Sequence, residues 1–254
     1  MSSLAWNLDV MKLPSPVDST EFQNLLAALA AGADQKLFAV SDWESRLGES
    51  ELAREFVYQM RQEWLGLTVP DGLCQEMMEY ARGYLSWYLG WPHIWAHILR
   101  VTGTALVLAP DAGIDPAHAF MLGIFHDIGK LDEMSGGDYH EEIGARLLHE
   151  KLTGHFTRRE IILMTNVIAK KASDLNPYTQ LLQDADKLDK IGATGIARRL
   201  STHWGAEHIQ FALSRVRDDA DDFPDMHFPT SRDLGKSKLA FTADFWASPL
   251  PKAK

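Results

Sequence analysis

115-DPAHAFMLGIFHDIGK-130 is the stretch that decides the fold, because it sets a histidine and an aspartate side by side in the most apolar helical pattern of the chain. Asp115 suits the N-cap of a helix, and Pro116 suits its first position. The residues that follow are apolar nearly all round, which predicts a central helix buried on every side. A buried polar group without a partner is costly, so His126 and Asp127 are expected to face something that compensates their burial.

Helix signals dominate the rest of the chain as well, and short alternating strand patterns are missing. The signals are capping boxes and first-turn prolines, found at Asp18/Glu21, Ser41/Glu44, Thr157/Glu160, Pro92 and Pro177. They delimit helices over 18–32, 41–66, 74–90, 92–109, 115–129, 140–152, 157–171 and 176–192. Residues 217–235 are acidic and broken by prolines, which predicts a loop before a final short helix over 237–247. The predicted fold class is all-α.

Composition narrows the classes of function. The chain has 254 residues, 46% of them hydrophobic, and a net charge of −10, which does not favour nucleic acid as a partner. A small anionic substrate would need local positive charge or a metal ion. One cysteine, Cys74, allows no intramolecular disulfide, as in a reducing compartment. The N-terminus is a poor signal peptide and no apolar run reaches the ~20 residues of a membrane span, so we expect a cytoplasmic protein with no membrane partner.

Further polar residues fall on faces that helical spacing turns inward. His97 lies beside the apolar stripe of its helix, and His140 precedes inward positions of the next segment. Asp184, Asp186 and Asp189 crowd one helix, with Asp186 and Asp189 on one face. Each residue alone has a structural explanation, such as a core histidine or a solvated acidic face. Taken together, His97, His126, Asp127 and a later aspartate supply the mixed nitrogen and oxygen ligands of a divalent metal site.

Four segments in order carry a resemblance to a known family. They are "HILRV" at 97–101, "FHDIGK" at 125–130, "HEEIGA" at 140–145 and "QDADKLDKIGATGIAR" at 183–198. Their histidine, histidine–aspartate, aspartate order resembles the signature of the HD-domain superfamily of metal-dependent phosphohydrolases. The resemblance covers about residues 90–200, and it implies an HD-domain helical bundle.

The resemblance also implies roles for individual residues. The metal ligands would be His97, His126, Asp127 and Asp186, with Asp184 in place of Asp186 if the register differs. Asp189 would hold a ligand or water, and either Asp127 or Asp189 would accept a proton from the attacking water. In the substrate pocket, Lys130 would contact phosphate and stabilise charge during the reaction. Arg100 would also bind substrate or, alternatively, pair with a structural carboxylate.

Departures from the family pattern refine the expectation. Dinuclear members have a further histidine where this chain reads "NVIAKKASD", with Lys170 and Lys171. We therefore expect one divalent ion, Mn²⁺, Mg²⁺ or Fe²⁺, with His140 lining the substrate pocket rather than holding a second metal. Lys130 stands where deoxynucleoside 5′-monophosphatases of the family place a glutamate, which argues against that activity. The expected substrate is a nucleotide or another small phosphorylated metabolite, cleaved at a phosphate ester or anhydride bond.

Alternatives to this function stay open at the level of sequence. One is a catalytically silent HD module that binds a nucleotide as sensor or scaffold, and another is an HD-type oxygenase, which the missing histidine disfavours. A third is an all-α protein whose buried His-Asp pair is structural. The predicted organisation is a helical extension over 1–89 packed on an HD domain over 90–254. The extension would cover the core, shape the pocket or form a homodimer interface.

Overall fold

The computed structural model describes residues 58–60, 62–87, 91–202, 215, 218–221 and 223–247. Within this part of the chain the structure is helical and contains no β-strand, so the prediction of an all-α fold is confirmed. The helices, numbered here in chain order, are α1 Gly72–Leu85, α2 Trp91–Ala112, α3 Pro116–Phe125, α4 Lys130–Met134, α5 His140–Leu152, α6 Arg158–Ile168, α7 Pro177–Leu188, α8 Gly192–Thr202 and α9 Pro229–Ala247. A 3-10 turn at Phe223–Asp225 precedes α9.

Helix α3 is the centre of the bundle, as its apolar sequence predicts. Asp115 caps it by accepting a hydrogen bond from the Ala117 amide, and every residue from His118 to Phe125 is buried. The helix packs against α1, α2, α5, α6 and α7. The turn that follows α3 is therefore held in the interior by most of the surrounding helices.

Two glycines let neighbouring helices approach α3 closely. A Cβ atom on Gly123 would lie 2.6 Å from the Cα of Thr102 in α2. A Cβ atom on Gly144 in α5 would lie 2.5 Å from the carbonyl oxygen of Phe125. Real Cβ atoms do not come so near to backbone, so these contacts require glycine. They fix α2 and α5 against the end of α3 that leads into His126 and Asp127.

Several predicted helix ends are wrong by a few residues. Helix α1 begins at Gly72 rather than Cys74, because Asp71 caps it, and it ends at Leu85 rather than Gly90. Helix α2 continues past Pro110 to Ala112, so Pro110 lies inside its last turn although it cannot donate the hydrogen bond of that position. Helix α3 ends at Phe125, so His126 and Asp127 lie in the turn after the helix and not inside it.

The C-terminal region departs most from the prediction. Part of the predicted loop over 217–235 is the start of a long helix, because α9 begins at Pro229. The amides at this helix end are bonded by carboxylates distant in sequence: Asp111 accepts from Thr230, and Asp184 accepts from Phe228. Local sequence does not contain these partners, which explains the error.

The described end of the N-terminal region packs on the bundle. Residues 58–60, 62 and 63 are helical, so the helix predicted to reach Gly66 ends at Glu63. The Glu63 carboxylate accepts hydrogen bonds from the amides of Ala193 and Thr194 at the start of α8, and it pairs with Lys238 of α9. The predicted helix 18–32 and residues 41–57 of the next one lie outside the described residues. No helix in the described part is long and apolar enough to span a membrane.

Candidate metal centre

Two buried imidazoles face each other across the space between α2 and the turn after α3. The Nε2 atoms of His97 and His126 are 3.1 Å apart. His97 Nδ1 lies 2.7 Å from the Asp189 carboxylate, and His126 Nδ1 lies 2.7 Å from the Gly123 carbonyl oxygen. These oxygens only accept hydrogen bonds, so each ring carries its proton on Nδ1. Two Nε2 lone pairs therefore converge on one point, an arrangement that a cation satisfies.

Two carboxylates approach the same point. An oxygen of Asp127 lies 3.4 Å from His97 Nε2 and 3.9 Å from His126 Nε2. Asp186 Oδ1 lies 3.5 Å from His97 Nε2. Ligand atoms of His97, His126 and Asp127 all lie within 4.8 Å of one another. The structure thus groups three of the four residues that the resemblance implied as ligands and places the fourth, Asp186, beside His97; their binding of a metal stays a prediction.

The chemistry of this set fits a divalent ion. Burial lowers the pKa of His126, so its imidazole is neutral and offers a lone pair. Burial alone would raise the pKa of Asp127, but the positive charge that His126 and His97 carry when protonated outweighs it and holds the pKa well below its usual range. Imidazole nitrogens together with carboxylate oxygens form a borderline donor set, suited to Mn²⁺ or Fe²⁺ more than to Mg²⁺.

Asp189 holds His97 in place. Its carboxylate, 4% exposed, also accepts from Arg100 at 2.6 and 3.0 Å and from Arg198 at 3.2 Å. Burial would raise the pKa of Asp189, but Arg100 and His97 outweigh it and hold the pKa well below its usual range. Asp189 therefore fixes the ring that bears the first predicted ligand atom. Arg100 takes the alternative role that the sequence left open, as the partner of a buried carboxylate.

Asp184 faces away from the metal centre. Its carboxylate is fully buried and accepts hydrogen bonds from the amides of His227 and Phe228, the His227 ring and the Ser231 hydroxyl. All of these donors belong to α9 or the segment before it. The alternative register, with Asp184 in place of Asp186 as ligand, does not fit this geometry.

A cavity of about 480 Å³ opens beside the convergent atoms. His126, Asp127 and Asp186 line one part of it, together with the predicted substrate contacts Lys130 and His140. Cationic side chains line the cavity although the chain is strongly acidic overall, and they are Lys130, Lys170, Lys190, Arg198 and Arg199. The lining also contains four carboxylates, Asp127, Glu141, Asp174 and Asp186, so the cations offer contacts to a small anionic substrate within a wall of mixed charge.

His140 links the cavity wall to Asp127. Its Nε2 lies 3.3 Å from Asp127 Oδ1, and its Nδ1 lies 2.7 Å from Glu133 and 3.2 Å from Glu141. The ammonium of Lys130 lies 3.2 Å from the same ring. Glu133, His140 and Glu141 offer three ligand atoms within 4.8 Å of one another, but with no histidine at the position of Lys170 we keep the prediction of a single ion.

Several residues at or beside the cavity were not predicted from the sequence. Lys190 pairs with Asp186 at 2.8 Å; although burial raises the pKa of Asp186, this ammonium outweighs burial and lowers it. Arg198 reaches Asp189, and Glu133 contacts His140. The signal for Lys190 was its place four residues after Asp186 on one helical face. Arg198 and Glu133 have no such local signal, because only the packing of the helices brings them to the site.

Comparison with known proteins agrees with the four motifs. A family model of the HD domain matches residues 94–191. Similar solved structures include a predicted HD superfamily hydrolase from an uncultured Thermotogales bacterium (25% identity, TM-score 0.53, covering 67% of this chain and 87% of that one). An HD-superfamily hydrolase from Bacillus thuringiensis is also similar (20% identity, TM-score 0.53, covering 68% of this chain and 92% of that one). So is Bacillus subtilis YpgQ in complex with ADP (20% identity, TM-score 0.52, covering 68% of this chain and 93% of that one).

Curated protein sequences contain no significant match to this chain. The resemblance predicted from the motifs is nevertheless confirmed, because the matched domain spans His97, His126, Asp127 and Asp186. Residues 94–191 are therefore identified as an HD domain.

Proposed function

We propose that this protein is a metal-dependent phosphohydrolase that cleaves a phosphate ester or anhydride bond in a nucleotide or another small phosphorylated metabolite. The observation that carries the proposal is the meeting of the His97 and His126 Nε2 lone pairs, 3.1 Å apart, beside a cavity rich in cations. The match of residues 94–191 to the HD domain, and the likeness of the chain to a predicted HD superfamily hydrolase, support it.

His97, His126, Asp127 and Asp186 would hold the metal. A divalent ion in this place supplies Lewis-acid activation of water and of a phosphoryl group. The hydrogen bonds of Asp189 and the Gly123 carbonyl keep both rings in the tautomer that binds a metal. The protein therefore maintains a preformed donor set rather than assembling one on binding.

The cations of the cavity wall that lie close to the predicted ligands would bind the phosphate and stabilise charge on its oxygens. Lys130 is best placed among them, because its ammonium lies beside His140, whose ring contacts Asp127. Lys190 adds positive charge on the side of Asp186. A phosphoryl group beside the metal ligands would thus meet ammonium groups from two directions.

Of the two candidates for accepting the proton of the attacking water, the contacts favour Asp127. Both oxygens of Asp189 are bonded to arginine or histidine donors, and Asp189 does not line the cavity. Asp127 lines it, and its Oδ1 faces His140 Nε2. We assign the proton to Asp127 Oδ1, and Asp189 acts as a positioning residue for His97.

The far end of the cavity suits the organic part of a substrate. Thr179, Leu182, Gln183 and Asp186 line the cavity from successive turns of one face of α7. At 1.5 Å per residue, Thr179 lies about 10 Å along the helix from Asp186. Its hydroxyl is buried and has no hydrogen-bond partner among the described residues. The binding of ADP by YpgQ makes a nucleotide the first candidate for this space.

The test is phosphate release from nucleotides and small phosphate esters in the presence of Mn²⁺, Mg²⁺ or Fe²⁺, together with metal content. We expect turnover that requires a metal, and we expect Asp186→Asn and His126→Ala to lose both turnover and metal while remaining helical. Lys130→Ala is the matched control: it should weaken substrate binding and retain metal. Full metal and full turnover in either ligand variant would refute the assignment. A nucleotide bound tightly by the wild type without turnover would identify the sensor instead.

A further inference from the structure

Helix α6 ends in an unusual way. Lys170, just after its end, has a φ of 54° and is the one non-glycine residue with a positive φ in the described part of the chain. The amide of Lys171 donates to the Asn166 carbonyl at 2.8 Å, and that of Lys170 donates to the Val167 carbonyl at 3.0 Å. These two bonds form a Schellman motif, in which the left-handed residue is usually glycine.

A lysine at this position is unfavourable for the backbone. A side chain in the left-handed region is strained where glycine is not, so glycine would end α6 at a lower conformational cost. A strained residue next to a cavity suggests a role for its side chain. A cation also interacts favourably with a helix C-terminus, but Lys171 offers the same charge from an ordinary backbone conformation.

The side chain of Lys170 reaches the cavity of the metal centre. It lines the cavity wall, and its ammonium pairs with Glu141. Glu141 contacts His140, and His140 contacts Asp127, so two side chains separate Lys170 from the nearest predicted ligand. The Lys170 side chain is 73% exposed, and ion pairs this exposed contribute little to stability. The ammonium can therefore exchange Glu141 for an incoming anion without loss to the fold.

We propose that Lys170 binds a second anionic group of the substrate, apart from the phosphoryl group held at the metal ligands. Lys170 contacts Glu141 and none of the predicted ligands, and Glu141 and His140 stand between it and Asp127, so its ammonium is placed for a group other than the first. The inference rests on the proposed function and narrows it to substrates with two anionic groups, such as diphosphates. The strained backbone keeps the lysine at the rim, where a longer anion would extend.

The test compares one-anion and two-anion probes that cannot be hydrolysed. Inorganic phosphate and methylenediphosphonate are titrated calorimetrically into the Mn²⁺-loaded wild type and into Lys170→Gly. We expect the variant to bind methylenediphosphonate about tenfold more weakly, the loss of one charge-assisted contact, and to bind phosphate as before. Its melting temperature should stay the same or rise, because glycine suits the Schellman position. Lys170→Arg should retain most of the affinity.

Lys171→Ala is the matched control, since it removes the same charge from the next residue, which does not line the cavity. Equal weakening in this variant would show a general charge or helix-dipole effect and would overturn the proposal. Undiminished binding of methylenediphosphonate by Lys170→Gly would overturn it as well, as would a wild type that binds phosphate but not methylenediphosphonate. Phosphohydrolase activity is measured separately, so a wild type without turnover that still shows the Lys170 effect would refute only the proposed function.

Discussion

Asp189 offers the sharpest test of how the metal centre is built, because it does not line the cavity and is not among the predicted ligands. Its carboxylate accepts from His97 at 2.7 Å, from Arg100 at 2.6 and 3.0 Å, and from Arg198 at 3.2 Å. Asp189→Asn keeps the shape but replaces one acceptor oxygen with an NH₂ group. The asparagine NH₂ group must then face at least one N–H of His97, Arg100 or Arg198 instead of accepting a hydrogen bond from it. Arg100 and Arg198 also lose the negative charge with which they pair.

The expected loss has two parts. Removing one partner of a buried, charge-assisted network should lower the free energy of unfolding by about 3 kcal/mol. Freeing the ring of His97 should weaken metal binding roughly 10–100-fold, the usual effect of losing the group that orients a ligand. Urea unfolding measures the first, and Mn²⁺ competition against a chelating dye measures the second.

Asp184→Asn is the matched control on the same helix. Asp184 is also a fully buried carboxylate with several donors, but these come from His227, Phe228 and Ser231 at the start of α9. We expect a loss of stability of about 2–3 kcal/mol and unchanged metal affinity in the folded protein. The reasoning is refuted if Asp189→Asn binds Mn²⁺ as tightly as the wild type, or if both variants lose metal equally.

Three other predictions follow from buried contacts. Gly123→Ala should destabilise the fold by about 1–3 kcal/mol, because the new Cβ would overlap Thr102. The overlap should also shift the Gly123 carbonyl that orients His126 and so weaken Mn²⁺ binding. Thermal unfolding measures the first effect, and dye competition measures the second. Glu63→Ala should cost about 3 kcal/mol in urea unfolding, since it leaves Lys238 buried without its carboxylate; a loss under 1 kcal/mol would contradict it. Burial raises the pKa of Cys74 to about 12, so the native thiol should resist iodoacetamide at pH 8 and react once urea unfolds the chain.

The sign of the Cys74 shift also gives a pH dependence. Folding raises the thiol pKa from 9.0 to about 12, so the folded state favours the neutral, protonated form. The stability this provides is complete below pH 9 and declines as pH rises from there towards 12. Replacement of Cys74 by serine should therefore flatten the alkaline side of the stability profile, measured by urea unfolding between pH 7 and 10.

The metal centre was largely predictable because its residues violate the pattern around them. His126 and Asp127 stand out from an apolar helix, and His97 stands beside an inward stripe. Such residues can be recognised in the sequence because burying a polar group costs free energy, so each of them requires a compensating partner. The cations of the cavity do not depart from the sequence pattern around them. Lys190 and Arg198 resemble ordinary surface charges in the sequence, and only the packing of α7 and α8 places them at the cavity. Their role depends on tertiary structure, and the sequence offers only the spacing of Lys190, four residues after Asp186, as a local indication.

Some helix ends could likewise be predicted from the sequence, and others could not. The capping box of α6 is formed by Thr157 and Glu160, three residues apart, and the predicted start of that helix agrees with the structure. The start of α9 depends on Asp111 and Asp184, which are distant in sequence, and the prediction placed it eight residues too late, at 237 rather than at Pro229. A helix end is readable from sequence when its orphan amides are bonded locally.

Helix α7 shows why the aspartate register could not be decided from sequence alone. Successive residues of an α-helix turn by about 100°, so Asp184 and Asp186 point about 160° apart, whereas Asp186 and Asp189 differ by about 60°. The three carboxylates consequently meet three different environments: α9 for Asp184, the cavity for Asp186, and His97 with Arg100 for Asp189. Spacing establishes that only two of them share a face. Which face carries the metal ligand depends on the side of α7 against which α2 packs. That packing makes Asp186 a predicted ligand and Asp189 the support of another predicted ligand, and it leaves Asp184 to anchor the C-terminal helix.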